Sequence, residues 1–174
     1  MPDPRTLAET ESAMHRHIDG LNVDYAAAQT VSSIYRAANA VRSHITNAVL
    51  RQYDLTWSGF VVMWVVWIWD GMETRYVAEN AAISKATLTG VVKTLESRGW
   101  IVREGLAADR RLVRLRLTQS GIDLMTELYP KFNAVESAVV QNLSAKSKAS
   151  LTKDLRSIVR TVEADGVAGG AVGA

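Results

Sequence analysis

The chain has 174 residues, 48% of them apolar and 22% charged, with 20 Lys and Arg against 18 Asp and Glu, three His and no Cys. That is the composition of a globular domain, or of two small lobes sharing a core. It excludes a disulfide framework, a thiolate zinc site, a cysteine nucleophile and a cysteine redox sensor. The stretch 57–69 (WSGFVVMWVVWIW) is apolar almost throughout. As a helix it rises only about 20 Å, against about 30 Å for a bilayer core, so a buried helix is expected and not a membrane span. Charged residues interrupt every apolar run in the first 25 positions, so no signal-peptide core is expected and the cytoplasm is the expected compartment.

Residues 1–23, with Pro2 and Pro4 early and Gly20 late, read as a partly helical arm followed by a break. From Asp24, a suitable N-cap, the apolar positions Val31, Ile34, Ala38, Val41, Ile45 and Val49 recur at steps of three and four, which predicts one amphipathic helix as far as Tyr53. Thr56 can cap the tryptophan-rich helix that Gly71 ends. A short helical turn over 73–82 follows, and then Ser84 caps a second helix in which Leu88, Val91, Val92 and Leu95 form one stripe up to the stop at Arg98-Gly99. Two short helices joined by a tight turn make a helix-turn-helix. The period then switches to two, in WIVRE (100–104) and LVRLRLT (112–118), which predicts a hairpin whose tip, 105–111 (GLAADRR), is a long loop. A long helix runs from 118 through Pro130, and a last one starts at Ser144 or Ser147 with Leu151, Leu155, Ile158, Val159 and Val162 on its apolar face. The end of the chain from Gly166 has no periodicity and is expected to be flexible.

The charge is unevenly placed. Residues 71–118 hold nine basic against five acidic side chains, whereas 1–24 hold two against five and 119–174 are balanced. A basic central lobe suggests a polyanion surface. The order of elements says how such a surface would work, since a helix-turn-helix followed by a two-stranded hairpin is a winged helix. The outward face of its second helix (Thr87, Thr89, Gly90, Lys93) is small, polar and basic enough to enter a major groove. Arg110 and Arg111 stand on a tip thin enough for a minor groove, with Asp109 beside them to brace it.

In order and spacing, Asp54-Leu55-Thr56, the run 84–95 (SKATLTGVVKTL), Arg98-Gly99 and Asp109-Arg110-Arg111 followed by LTQSG (117–121) resemble the multiple antibiotic resistance regulator (MarR) family of transcriptional regulators. The resemblance implies a mainly α fold with a small β-hairpin and a homodimer on a pseudo-palindromic double-stranded DNA operator. Ser84, Lys85, Thr87, Thr89 and Lys93 would face that DNA, Arg110 or Arg111 would enter the minor groove and Asp109 would brace the wing. The family often carries a large basic residue where this chain has Gly90, and glycine there would allow a closer approach of the helix backbone. On this reading the chain divides into an arm (1–23), a dimerisation helix (24–55), a DNA-binding lobe (56–118, with recognition helix 84–98 and wing 100–118), C-terminal dimerisation helices (119–165) and a tail (166–174).

The resemblance further implies a repressor released by a small aromatic or anionic effector, for which Arg42, His44, Trp64 and Trp67 offer a charge partner and stacking surface. Tryptophans at helical spacing also serve as plain core. An enzyme is disfavoured: no glycine-rich phosphate loop, catalytic triad order or paired carboxylate motif is present, and His15-x-His17 has no further ligands nearby. No catalytic residue, metal or cofactor is expected. The rival reading is a winged helix that docks a protein instead of DNA, which fold alone does not decide.

Overall fold

The computed structural model describes residues 6–18, 20–106 and 109–170, with backbone alone at 7, 106, 109–112 and 166–170. The chain divides into two compact units, Met1–Trp57 and Ser58–Ala174.

In the first unit, α1 (Leu7–Ile18) starts in a capping box: the Thr6 backbone N–H donates to the Glu9 carboxylate at 2.7 Å, and the Glu9 N–H donates to the Thr6 hydroxyl oxygen at 3.2 Å. The Thr6 backbone N–H, and after it the Thr6 hydroxyl, hold the Glu9 carboxyl below its ordinary pKa. His15 meets the Tyr25 ring edge-on at 4.8 Å, while His17 Nδ1 lies 3.1 Å from the Ala13 carbonyl, so the two histidines are engaged separately. Asp24 caps α2 (Tyr25–Ala48) by accepting from the Ala27 N–H at 2.9 Å. The helix stops short of the expected Tyr53. At Val49 the bonding tightens into a 3-10 turn over Leu50–Tyr53, which Asp54 closes in the left-handed conformation at φ 49°.

The second unit holds α3 (Trp57–Ile68) from residue 58 onward, followed by β1 (Met72–Glu73), α4 (Thr74–Asn80), α5 (Lys85–Ser97), β2 (Ile101–Leu106), β3 (Asp109–Leu117), α6 (Gln119–Val139) and α7 (Ala145–Gly170). No helix among the described residues is long and apolar enough to cross a membrane. The core of the unit is built from Val62, Met63, Val65 and Val66 of α3, Leu88, Val92 and Leu95 of α5, Ile101 and Leu115 of the strands, and Met125, Leu128 and Phe132 of α6. Phe60 stacks on Phe132 at 4.2 Å, and Trp67 lies edge-on to Tyr129 at 5.7 Å, so α3 docks on α6 through its rings.

The hairpin belongs to a three-stranded antiparallel sheet in the order β1-β3-β2. The sequence reading had no β1. Two residues carry no period of their own, and Met72 and Glu73 become a strand only by pairing with Leu115 and Arg114. The expected long tip loop is corrected as well. β2 reaches Leu106 and β3 begins at Asp109, with a register shift at Gly105/Leu106, so the ladder runs through a bulge almost to the tip. At the C-terminus α7 continues to Gly170, beyond the expected break at Gly166, because each added residue of a formed helix closes one more bond without a new nucleation step. Residues 171–174 lie outside the described residues.

Candidate nucleic-acid interface

Helix α5 is held at its start by Ser84, whose Oγ accepts from the Thr87 N–H at 3.0 Å and lies 2.8 Å from the Thr87 hydroxyl. Before it, Ala82 makes the turn from α4 at φ 51°, a conformation that glycine usually takes. Leu88, Val92 and Leu95 point inward and are buried. The same periodicity turns Gly90 and Lys93 away from that stripe and puts Thr87 and Thr89 at its sides, while Ser84 at the cap and Lys85 in the first turn lie in line with the stripe but at its open end, and all six are exposed. The Thr89 hydroxyl donates back to the Lys85 carbonyl at 2.9 Å. The structure thus leaves all six recognition-helix positions open to solvent, with Gly90 and Lys93 opposite the buried stripe.

Wing residues Asp109, Arg110 and Arg111 have their backbone in β3, and their side chains lie outside the described residues. The bracing role read for Asp109 and the groove role read for the two arginines are therefore proposals.

Much of the lobe's positive charge is engaged within the fold. Arg103 pairs with Glu96 at 3.1 Å, Arg75 with Glu73 at 3.4 Å, and Arg116 with Asp70 at 3.3 Å and Glu104 at 3.9 Å. Arg114 donates to the carbonyls of Asp70 and Gly71 at 2.9 and 3.2 Å, and so ties the end of α3 to the wing. Gly71 is required there. At φ +97° a Cβ would meet Arg116 Cγ at 2.7 Å and Arg114 Nε at 2.8 Å. Arg98 lies over the Trp100 ring at 4.2 Å. Lys85 and Lys93, in contrast, make no ion pair among the described residues. The lobe's excess charge overstates the cations left free for a polyanion, because Arg114 and Arg116, spaced by two on one strand, share a face on which backbone carbonyls and acidic groups engage them.

A cavity of about 280 Å³ opens between α4, α5 and the wing. Leu88, Val92 and Val113 supply apolar lining, and Thr74, Arg75, Lys85, Thr89 and Arg103 supply polar and cationic groups. The sequence reading missed Thr74, Arg75, Arg103 and Val113, which come from three separate elements and share no spacing. Of its effector residues, Arg42 and His44 are exposed on α2, where Arg42 donates to Asn39 at 3.2 Å. Trp64 and Trp67 are half-buried on α3, and Trp67 is engaged with Tyr129. Arg42 and His44 belong to the first unit, Trp64 and Trp67 to the second. No cluster of three or more potential metal ligands occurs among the described residues.

Residues 55–113 match the sequence model of the MarR family. Beyond that segment the chain is 33% identical over 141 residues to an uncharacterized HTH-type transcriptional regulator of Bacillus subtilis, YwaE, a match that covers 81% of each. The chain belongs to the MarR family. It is a DNA-binding transcriptional regulator with a winged-helix fold, as the order of its elements implied. Two solved structures share that fold. BpsR of Bordetella bronchiseptica, whose DNA binding is regulated by 6-hydroxynicotinic acid, superposes with a TM-score of 0.69 at 24% identity over 75% of this chain and 98% of its own. A mutant of MarR from E. coli complexed with operator DNA gives 0.68 at 20% identity over 73% and 91%.

Proposed function

We propose that this MarR-family chain acts in the cytoplasm as a homodimeric repressor that holds a pseudo-palindromic operator and releases it on binding a small aromatic or anionic effector. The observation that carries the reading is the outward face of α5, where Lys85, Thr87, Thr89, Gly90 and Lys93 stand exposed above a buried stripe. Short side chains let a helix enter a major groove about 12 Å wide, and the two lysines are placed to meet the phosphates beside it. Arg110 or Arg111 then enters the minor groove from the wing, steadied by Asp109.

A dimer is supported by the uncovered apolar stripe of α7, in which Leu151, Leu155, Ile158, Val159 and Val162 are all exposed. Monomers seldom leave such a face in water. A second copy related by a twofold axis would bring its recognition helix about 34 Å from the first, one turn of B-DNA. For the effector, the cavity under α5 combines apolar lining with Arg75, Lys85 and Arg103, and shares Lys85 and Thr89 with the DNA face, so an acid lodged there would compete with DNA. Arg42 and His44, or Trp64 and Trp67, are further proposed contacts, and BpsR responds to an aromatic acid.

The test is duplex binding as a function of salt. The logarithm of affinity should fall with the logarithm of salt concentration at a slope of about 0.9 per phosphate contacted. Arg110→Ala with Arg111→Ala should weaken binding and leave thermal stability nearly unchanged, since the far end of a hairpin contributes little to the core. Salt-insensitive binding, or none, would favour the protein-docking alternative, and sedimentation as a monomer at micromolar concentration would remove the dimer. Titration with 6-hydroxynicotinic acid, followed by tryptophan fluorescence and by loss of DNA binding, tests the effector.

A further inference from the structure

We propose that Gly90 is a specificity-determining residue: it opens a seat on α5 for the 5-methyl group of a thymine. The inference rests on α5 being the DNA-reading helix and adds which base it reads. Glycine in the middle of a helix weakens it, because glycine has the most backbone freedom to lose. Nothing described inside the protein requires it here. Gly90 has no positive φ, and, its chain neighbours and the backbone of α5 aside, no atom lies within 4 Å of the place its Cβ would occupy. The room left by the missing side chain therefore faces outward, on the exposed side of α5.

The neighbouring hydroxyls indicate what would fill it. Thr89 donates to the Lys85 carbonyl at 2.9 Å, Thr94 to the Gly90 carbonyl at 3.2 Å, and the Thr87 hydroxyl lies 2.8 Å from Ser84 Oγ. With these hydroxyls engaged locally, the exposed neighbour one turn before Gly90 is Ala86, which offers a methyl group and no polar atom of its side chain. Guanine presents two acceptors in the major groove and calls for a cationic donor, and adenine calls for an amide. Thymine presents a methyl group, which pairs with apolar contact. Lys85 and Lys93 lie to either side along the helix, where phosphates flank a seated helix.

The experiment compares the full-length protein with Gly90→Ala on duplexes selected by the wild type from a random pool, and on a scrambled duplex of equal length. The variant should unfold about 2–4 °C higher, because alanine strengthens the helix. It should bind the selected duplex about tenfold more weakly and the scrambled duplex as before. Replacing dT by dU one position at a time should weaken wild-type binding severalfold at one site in each half, and weaken the variant at none. Equal affinity of the two proteins, a lower unfolding temperature of the variant, or insensitivity to every dU would each overturn the proposal. If the wild type selects no duplex, the DNA-reading role of α5 fails and the proposal fails with it, an outcome distinct from equal binding by both proteins.

Discussion

Helices α5 and α7 carry the same kind of pattern and meet different fates. In α5 the stripe Leu88, Val92 and Leu95 is 4%, 1% and 2% exposed, covered by strands and helices of its own unit. In α7 the stripe Leu151, Leu155 and Ile158 is 47%, 37% and 40% exposed. Periodicity reports that a face is suited to burial and is silent about what buries it. On the proposed function the contrast divides labour between the two helices: one is fixed inside the lobe so that its other face can read DNA, and the other would offer its apolar face to a second copy.

The largest effect expected from this contrast is inside the lobe. Leu95→Ala should cost about 2–5 kcal/mol by chemical denaturation, independent of protein concentration, because it leaves a cavity under the recognition helix. A loss below about 1 kcal/mol would mean that the α5 stripe is not the anchor described. Next comes Ile158→Asp, which places a carboxylate in the proposed interface. It should raise the dimer dissociation constant about 30-fold or more and shift the concentration dependence of unfolding, as read by sedimentation and calorimetry. An unchanged dimer would show that the α7 stripe is not its seam.

The smallest effect lies in α1, a short helix whose start depends on its cap. The Glu9 carboxyl is held below its ordinary value of 4.5 by the Thr6 N–H and hydroxyl. A depressed folded value means that the carboxylate's contribution is complete above the unfolded value and is lost as pH falls through the folded one. The protection factors of the α1 amides, corrected for intrinsic exchange, should therefore fall as acid protonates Glu9, and Glu9→Gln should remove that dependence. A pH-independent α1 would remove the cap from the account.

Much of the site was legible because it is local. Ser84 as a cap, Leu88, Val92 and Leu95 as an inward stripe, and Gly90 and Lys93 on the opposite face all follow from the capping rule and a period of 3.6 residues within one helix. The capping box of α1 was also there to be read, as Thr6 followed three residues later by Glu9. The fate of the arginines was not. Arg114 and Arg116 look like free cations on an alternating strand, and their partner Asp70 lies more than 40 residues earlier in the chain. The cavity was hidden for the same reason, since Thr74, Arg103 and Val113 share no register.

Helix starts, the switch from helical to strand period, and the family itself could be obtained from the order of residues alone, because caps and amphipathic periods act over a single turn or strand. The conversion of Met72 and Glu73 into a strand, the pairing that engages Arg103, Arg114 and Arg116 across elements of the lobe, and the exposure of the α7 stripe depended on the folded chain. Those outcomes turn on which distant groups arrive within bonding reach, and charge or hydrophobicity along a chain does not specify the partner that meets it.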